Sequence, residues 1–309
     1  MLRLLVLLLL LSSCKADEKN PQTPRPDSPY LIVLGTAQDA GYPQADCKKK
    51  CCEAVWSGAQ KRKKVSCIGL VDPQNNQHWI FDASPDFKDQ LNTIQQHTFG
   101  LAGVFLTHAH IGHYTGLIHL GREAMGAKNV PVYAMPRMQS FLTNNGPWSQ
   151  LVSLNNIDLH GLKPDSIIQL SPSIQVVPFS VPHRDEFSET VGFEIRVNEK
   201  SAIFIPDIDK WEKWDRSILD LIKEVDVAFL DGTFYENGEL PGRDMSEIPH
   251  PFVEESMALF SELSTEEKEK IRFIHFNHTN DLLRKGSAAQ QEVIAKGFGF
   301  AVEGDVIEL

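Results

Sequence analysis

The sequence lacks three features: an excess of positive charge, an apolar run of membrane-spanning length, and a glycine-rich phosphate loop after any predicted strand. Asp and Glu (41) outnumber Lys and Arg (30), so the formal net charge is -11. An acidic surface repels a phosphate backbone, which disfavours nucleic-acid binding. The missing phosphate loop disfavours a dinucleotide-binding fold. Without apolar runs of about 20 residues, the chain is not a multi-span membrane protein.

Cysteine is also scarce, with five residues in a chain of 309. A chain of this length buries a full core without disulfide bonds. The contents of hydrophobic (42%) and charged (23%) residues are ordinary for a soluble globular protein, which excludes a disordered or fibrous chain. Each cysteine therefore requires its own explanation. Cys67 lies inside an apolar stretch and is interpreted as a small buried hydrophobic residue.

The N-terminal residues predict an export signal. Arg3 is followed by the apolar run Leu4–Leu11, which suits the apolar region of a secretory signal. The run ends in Leu-Ser-Ser-Cys14, which resembles a bacterial lipoprotein signal. The resemblance implies that residues 1–13 are removed, that Cys14 is lipidated, and that the protein is anchored in a bacterial cell envelope, facing the periplasm or the surface. A plain secretory signal with a chance cysteine is the alternative.

Residues 14–28 are polar and proline-rich, which predicts a flexible tether, and residues 29–309 are predicted to form one domain. Strands come in runs with helices between them, which favours layered sheets flanked by helices. Strands are predicted at Tyr30–Gly35, Ser66–Asp72, His78–Asp82, Gly103–Thr107, Val130–Ala134, Ile174–Val181, Val191–Val197, Ser201–Ile205, Val225–Leu230 and Ile271–Phe276. Helices are predicted at Pro85–Gln96, Leu117–Met125, Trp211–Glu224, Phe252–Leu263 and Ser287–Ala295.

A cluster of histidines directly after a predicted strand gives the strongest functional signal. The segment Thr107–His113 reads THAHIGH and holds three of the 11 histidines. Residues two apart on a strand face the same way, so His108 and His110 point to one side, and a turn after the strand brings His113 to the same place. Clustered neutral imidazoles suit zinc, manganese or iron. A polar surface loop is the alternative, but it does not explain the clustering.

Three more potential ligands stand at the ends of predicted strands. They are His183, Asp207 and His275. A single residue of this kind is more often a core polar group that has found a partner. Their repetition in this order, after the histidine cluster, favours a metal site where several buried strands leave the core.

These residues together resemble the metallo-β-lactamase superfamily of metal-dependent hydrolases. The family pattern is His-x-His-x-Asp-His, then a distant His, an Asp and a final His, and the same order is met by His108, His110, His113, His183, Asp207 and His275. The resemblance implies an α/β fold, a four-layer αββα sandwich, over nearly all of residues 30–309. It also implies that Asp82 supports the site from an early strand.

The sequence departs from the family pattern at one position. Gly112 stands where the family has the Asp that binds the second metal ion. The first metal site keeps His108, His110 and His183. The second keeps His113, His275 and the bridging Asp207. Whether one or two metal ions are bound at the catalytic site therefore stays open.

A narrower resemblance rests on the segment Leu34–Gln44 and the cysteines that follow it. It is similar to the pyrroloquinoline quinone biosynthesis protein B group and to the related cyclic-phosphate phosphodiesterases of phosphonate breakdown. The phosphodiesterases hold a structural zinc with N-terminal cysteines and a His three residues after the last catalytic His. That resemblance implies a structural zinc site of Cys47, Cys51, Cys52 and His278, although the cysteine spacing differs from the family's. A disulfide is the alternative in an exported chain.

The same resemblance implies a general acid. In the phosphodiesterases, a His at the place of His250 protonates the leaving group, although an ordinary surface histidine is the alternative here. A divalent metal ion lowers the pKa of water from about 15.7 to about 7, and Asp207 would orient that water. The leading hypothesis is therefore metal-dependent hydrolysis of a small anionic ester, with a cyclic phosphodiester as the first candidate.

Two other functions stay open. Histidines with one carboxylate also suit non-haem Fe(II) and oxygen chemistry, and the resemblance to the protein B group points that way. Alternatively, the missing Asp could indicate a lipid-anchored binding protein with little or no catalytic activity. The cofactors implied are one or two catalytic Zn2+ ions and one structural Zn2+ ion, with Mn2+ or Fe2+ as alternatives at the catalytic site.

The lipoprotein signal makes a direct prediction. Replacing Cys14 with alanine removes the thiol that carries the lipid, so Cys14→Ala should leave the membrane fraction and incorporate no labelled fatty acid. Cys67→Ala is the matched control and should stay lipidated and membrane-bound. Unlabelled wild-type protein, or a Cys14→Ala variant that is still labelled, would rule out the anchor.

Overall fold

A computed structural model of the protein describes residues 26–309. The predicted signal peptide, Cys14 and most of the predicted tether lie outside the described residues. Within that range, the strands are β1 (Tyr30–Gly35), β2 (Cys67–Asp72), β3 (Gln77–Phe81), β4 (Gly100–Phe105), β5 (Val130–Ala134), β6 (Ile157–Gly161), β7 (Ile168–Ser171), β8 (Ile174–Ser180), β9 (Val191–Val197), β10 (Lys200–Ile205), β11 (Val227–Asp231), β12 (Ile271–Ile274), β13 (Gly299–Phe300) and β14 (Val306–Glu308).

The helices lie between and after these strands. The α-helices of the described residues are α1 (Lys50–Trp56), α2 (Phe87–Ile94), α3 (Ile111–Tyr114), α4 (Pro136–Asn144), α5 (Trp148–Ser153), α6 (Ile218–Glu224), α7 (Val253–Leu259), α8 (Thr265–Glu269) and α9 (Ala288–Ala295). Short 3-10 helices cover Thr115–Leu120, Trp211–Lys213, Met245–Glu247, Phe260–Glu262 and Asp281–Leu283. No helix among residues 26–309 is long and apolar enough to cross a membrane.

The strands form two mixed sheets. The first has the order β14-β1-β2-β3-β4-β5-β6 and the second β13-β12-β11-β10-β9-β8-β7. Strands β3, β4, β5 and β6 run parallel to one another, as do β10, β11, β12 and β13, and the remaining pairs, including β2 with β3 and β9 with β10, are antiparallel. Parallel neighbours end at the same sheet edge, so the loops after β3, β4, β10, β11 and β12 can meet there.

Alternating side chains explain why the sheets are covered on both faces. In β1, Leu31 and Val33 pack between the two sheets, whereas Tyr30, Ile32 and Leu34 pack against helices. All six residues of β1 are buried, as expected for a strand with both faces covered. The core between the sheets is rich in phenylalanine, and helices cover the outer faces. The predicted four-layer αββα sandwich is confirmed.

Two predicted helices differ from the structure. Leu117–Met125 was expected to be α-helical, but the chain forms a 3-10 helix that ends before Gly121, where ψ is 170°. Trp211–Glu224 was expected to be one helix, but Trp214 is extended with ψ 136° and α6 starts after Ser217. The Ser217 hydroxyl caps α6 by accepting a hydrogen bond from the backbone of Asp220 at 3.2 Å. The apolar spacing of Trp211–Glu224 looked helical because the 3-10 helix and α6 bury their apolar side chains in the same cluster.

Candidate metal centre

The carboxylate of Asp207, which follows β10 and is 2% exposed, lies at the centre of a group of histidines. Its Oδ1 is 3.3 Å from His183 Nε2 and 3.2 Å from His250 Nδ1. Its Oδ2 lies between 3.3 and 4.0 Å from a ring nitrogen of each of four further histidines: His108, His110, His113 and His275. The structure therefore brings all the histidines predicted for the catalytic site to one carboxylate.

A first ligand set consists of His108, His110, His183 and Asp207, whose ligand atoms lie within 4.8 Å of one another. His108 Nε2 is 2.8 Å from His110 Nδ1, which is 3.3 Å from His183 Nε2. Two nitrogens bound tetrahedrally at about 2.0 to 2.1 Å would be about 3.3 Å apart, so these separations suit a zinc-sized ion. The Nε2 atom of His110 faces outward, 3.1 Å from Glu186 Oε2.

A second ligand set consists of Asp39, His113, Asp207 and His275. His113 and His275 were predicted from the sequence, but Asp39 was not. Asp39 Oδ1 is 3.0 Å from His113 Nε2 and 3.6 Å from His275 Nε2. The set therefore contains a second carboxylate although position 112 is glycine.

Backbone hydrogen bonds hold Asp39 beside His275. The turn after β1 is tied to the segment after β12, because the amide of Gln38 donates to the carbonyl of Phe276 at 2.7 Å. In return, the amide of Phe276 donates to the carbonyl of Thr36 at 2.8 Å. The sequence contained one usable signal for this residue: an acidic residue in the loop directly after an apolar strand.

Asp82 and Thr107 orient two of the histidines in the first sheet. Asp82 Oδ2 is 2.7 Å from His113 Nδ1, and Thr107 Oγ1 donates to both oxygens of Asp82. Since its one hydroxyl hydrogen is used in this way, Thr107 Oγ1 accepts from His108 Nδ1, 3.0 Å away. Both imidazoles are thereby left with Nε2 facing Asp207. Asp82, predicted from the sequence to support the site, thus contacts His113 and Thr107, and it adopts a left-handed φ of 69°.

Asp231 and Thr233 repeat this arrangement in the second sheet. Thr233 Oγ1 donates to Asp231 Oδ1 at 2.7 Å and is 2.9 Å from His275 Nδ1, which leaves His275 Nε2 facing the site. Asp231 Oδ2 is 2.8 Å from His250 Nδ1. Asp231 and both threonines were missed in the sequence, because a polar residue at a strand end carries no signal of its partner.

Burial and neighbouring charges fix the protonation of the centre. Burial lowers the pKa of His108 and His183, for His183 to about 4. Burial acts against ionisation of Asp39 and Asp207, but the neighbouring histidines outweigh it and hold the pKa of both carboxyls well below the ordinary value. For His113, burial also favours the neutral form, but the neighbouring carboxylates outweigh it and hold the pKa of this imidazole well above its ordinary value, so a metal ion bound there would displace a proton.

Several buried polar atoms of the centre have no hydrogen-bond partner among the described residues. They include Asp39 Oδ1, His113 Nε2, Asp207 Oδ1 and His275 Nε2. Unpaired buried polar atoms are costly, and these converge on one place. The donor set of imidazole and carboxylate suits zinc, iron or manganese, so the residues fit a divalent metal ion.

The cysteine cluster, Cys47, Cys51, Cys52 and His278, forms a separate group. Cys47 Sγ and Cys51 Sγ are 3.6 Å apart, and His278 Nδ1 is 3.5 Å from Cys51 Sγ and 3.4 Å from Cys52 Sγ. Tetrahedral zinc with bonds of about 2.3 Å to sulfur and 2.0 Å to nitrogen gives S–S and S–N separations of about 3.8 and 3.5 Å. Both vicinal thiols therefore face the same point, and Cys67 is buried in β2, as predicted.

The fold and the two adjacent ligand sets define a class of protein, and comparison with known families agrees. Residues 78–276 match the beta-lactamase superfamily domain. The chain belongs to this family. The predicted membership of the metallo-β-lactamase superfamily is thus confirmed.

Within that class, the chain is similar to proteins named coenzyme PQQ synthesis protein B. The one from Acinetobacter baumannii is 25% identical over 313 residues, covering 91% of this chain and 100% of the relative. Among solved structures, zinc-bound PqqB from Methylobacterium extorquens has a TM-score of 0.75 at 24% identity, over 91% of this chain and 100% of that one. A diphosphatase from the PhnP family has a TM-score of 0.63 at 19% identity, over 91% and 97%. At these identities, the structures show a shared fold.

The hydrogen bond from His113 to Asp82 makes a testable prediction. Asp82→Asn removes the charge that orients His113, so metal affinity at the second ligand set should fall roughly 10- to 100-fold. Asp72→Asn is the matched control, because Asp72 is equally buried in the first sheet but caps a turn. Competition with a chromophoric chelator measures the affinity. Equal affinities in Asp82→Asn and the wild type would contradict the role of Asp82.

Proposed function

We propose that the protein is a metal-dependent hydrolase of a small anionic ester, with a cyclic phosphodiester as the preferred substrate class. The observation that carries the proposal is the sharing of Asp207 by two adjacent, buried ligand sets. Paired metal sites of this kind clamp the attacking and leaving oxygens of a phosphoryl group. A small substrate fits an acidic chain better than a nucleic acid does.

The ligand sets would hold two divalent metal ions, which lower the pKa of water and polarise the ester. Asp207, which belongs to both sets, would be a ligand in each and would orient the attacking water. In hydrolysis, the oxygen of this water forms a bond to phosphorus, the bond from phosphorus to the leaving oxygen breaks, and that oxygen needs a proton. Asp82 and Asp231 keep the imidazoles in place while this happens.

His250 is the candidate for the proton donor. It is 7% exposed, and its Nδ1 lies between Asp231 Oδ2 at 2.8 Å and Asp207 Oδ1 at 3.2 Å. Its ring centre is 5.5 Å from that of His183 and 6.3 Å from that of His275, so it borders both ligand sets. This buried position beside both ligand sets supports the role of general acid over that of an ordinary surface histidine.

A specific observation also favours a second function, non-haem iron and oxygen chemistry. Within the second ligand set, Asp39, His113 and His275 match the two histidines and one carboxylate of many Fe(II) oxygenases, and the shared Asp207 adds a further carboxylate. The relatives named coenzyme PQQ synthesis protein B, at 25–26% identity over 91% of the chain, support this alternative. The idea of an inactive binding protein rested on the missing carboxylate at position 112. Because Asp39 supplies a carboxylate to the second ligand set, that reason no longer applies.

We further propose that the cysteine cluster holds a structural zinc ion and that Cys14 anchors the domain to a bacterial envelope membrane. The separations among the four side chains support the zinc site over a disulfide. Burial raises the pKa of Cys52 to about 12, so its thiol is protonated at neutral pH unless a metal ion displaces the proton.

Turnover by ligand variants tests the hydrolase. His108→Ala and His183→Ala each remove a ligand worth several kcal/mol of transition-state stabilisation, so kcat should fall at least about a hundredfold. The substrates are bis(p-nitrophenyl) phosphate and a 2′,3′-cyclic nucleotide, with the zinc-loaded protein. His160→Ala is the matched control, because His160 is an exposed histidine on β6 paired with Asp158.

Full activity in both ligand variants, with circular dichroism unchanged, would reject the hydrolytic proposal. Rejection would also follow if Fe(II)-loaded protein consumed oxygen while zinc-loaded protein cleaved neither ester. That second result would favour the iron-dependent alternative.

Metal content tests the structural site. Cys52→Ala and His278→Ala each remove one of four ligands, so the zinc content of the purified protein should fall by about one ion per chain. Cys67→Ala, which removes a buried thiol outside the cluster, should keep the full content. Unchanged zinc in both ligand variants would contradict the site. Loss of two titratable thiols in the denatured, unreduced wild type would instead favour the disulfide.

A further inference from the structure

We propose that Asp39 takes over the function of the family carboxylate missing at position 112, and that the protein binds a second catalytic metal ion through this relocated ligand. The inference rests on the proposed function only in assuming that metal ions occupy the ligand sets. It answers a question left open by the sequence, namely whether Gly112 reduces the centre to a single metal ion.

Asp39 points towards the two histidines of the second ligand set. Its side chain is 14% exposed, and Oδ1 faces His113 Nε2 at 3.0 Å and His275 Nε2 at 3.6 Å. None of these three atoms has a hydrogen-bond partner within residues 26–309. A cation placed among them would satisfy all three, and Asp207 Oδ2 is 3.8 Å and 3.9 Å from the same two nitrogens.

Asp39 and a carboxylate at position 112 cannot both be present, because they would occupy the same space. A Cβ atom added to Gly112 would lie 2.7 Å from Asp39 Cα, and the Oδ1 atom of Asp39 would be closer still. Real Cβ atoms do not approach other heavy atoms so closely. The turn that carries Asp39 therefore fills the space that a side chain at position 112 needs, and glycine there is a consequence of that turn.

Backbone hydrogen bonds on either side of Asp39 hold it in place. The 38–41 turn closes with a 2.7 Å hydrogen bond from the amide of Gly41 to the carbonyl of Gln38, and Gly41 has the left-handed φ of 73° that this closure uses. Gln38 is in turn bonded to Phe276, the neighbour of His275. A carboxylate held in place in this way is well suited to be a metal ligand, because it loses little conformational entropy when the metal ion binds.

Metal titration of the intact protein tests the inference. Asp39→Asn keeps the size of the side chain and removes its charge. One metal equivalent per chain should then bind at least about 100-fold more weakly. This loss of affinity is larger than the one expected when a residue that only orients a ligand is replaced. The first ligand set and the cysteine cluster should keep their metal. Asp89→Asn, which removes an exposed carboxylate on α2, is the matched control and should bind as the wild type. The readouts are isothermal titration with Zn2+ and elemental analysis.

A relocation experiment sharpens the test. Gly112→Asp alone should lose the same metal equivalent, because its side chain collides with the Asp39 turn. Gly112→Asp combined with Asp39→Gly should regain at least part of the affinity lost in Asp39→Asn. If the double variant does not fold by circular dichroism, the comparison of Asp39→Asn with Asp89→Asn decides.

The outcomes separate this inference from the proposed function. Wild-type affinity and stoichiometry in Asp39→Asn would overturn the role of Asp39, as would a wild-type protein that binds only one metal ion outside the cysteine cluster. Two such metal ions without any ester cleavage would leave the role of Asp39 standing and reject the hydrolase.

Discussion

The arrangement of the centre depends on one buried charge, the carboxylate of Asp207. Placing an ion in the protein interior costs several kcal/mol unless nearby groups compensate for it. Here, six imidazoles place a ring nitrogen within 4.0 Å of its oxygens. Those imidazoles come from loops after strands of both sheets. Asp207 is therefore surrounded by imidazoles only when the two sheets stack with these strand ends at the same edge.

The two sheets support this carboxylate in the same way. Each provides a buried aspartate at a strand end, Asp82 or Asp231, that accepts a hydrogen bond from a threonine hydroxyl. Each threonine can then accept from the Nδ1 of a histidine, and each aspartate also contacts a second histidine directly. In three of these four histidines the Nδ1 atom is occupied and Nε2 faces Asp207, whereas His250 turns its Nδ1 to both Asp231 and Asp207. A metal ion would thus find ligands already oriented, which saves the entropy of ordering them.

Gly112 and Asp39 illustrate how a carboxylate ligand can be supplied from a different position in the sequence. In the sequence, the carboxylate of the family pattern is missing at position 112. In the structure, the turn after β1 places the carboxylate of Asp39 where a side chain of residue 112 would be. A metal ion responds to the charge and distance of its donors and not to their position in the sequence. The second ligand set that results, two histidines with Asp39 and the shared Asp207, suits zinc, iron or manganese.

The sequence by itself determined the superfamily and the layered fold, because strand alternation and a His-x-His motif at a strand end can be recognised along the chain. It likewise predicted the histidines that the structure gathers around Asp207. It also placed Asp82, Asp207 and His250 by their order along the family pattern. It missed the breaks in two predicted helices, since apolar spacing reports burial but not backbone conformation. Only the tertiary structure brought Asp39 beside His113, Thr107 beside Asp82 and Thr233 beside His275. Those contacts join residues far apart in the chain, and no local pattern records which distant strand ends meet.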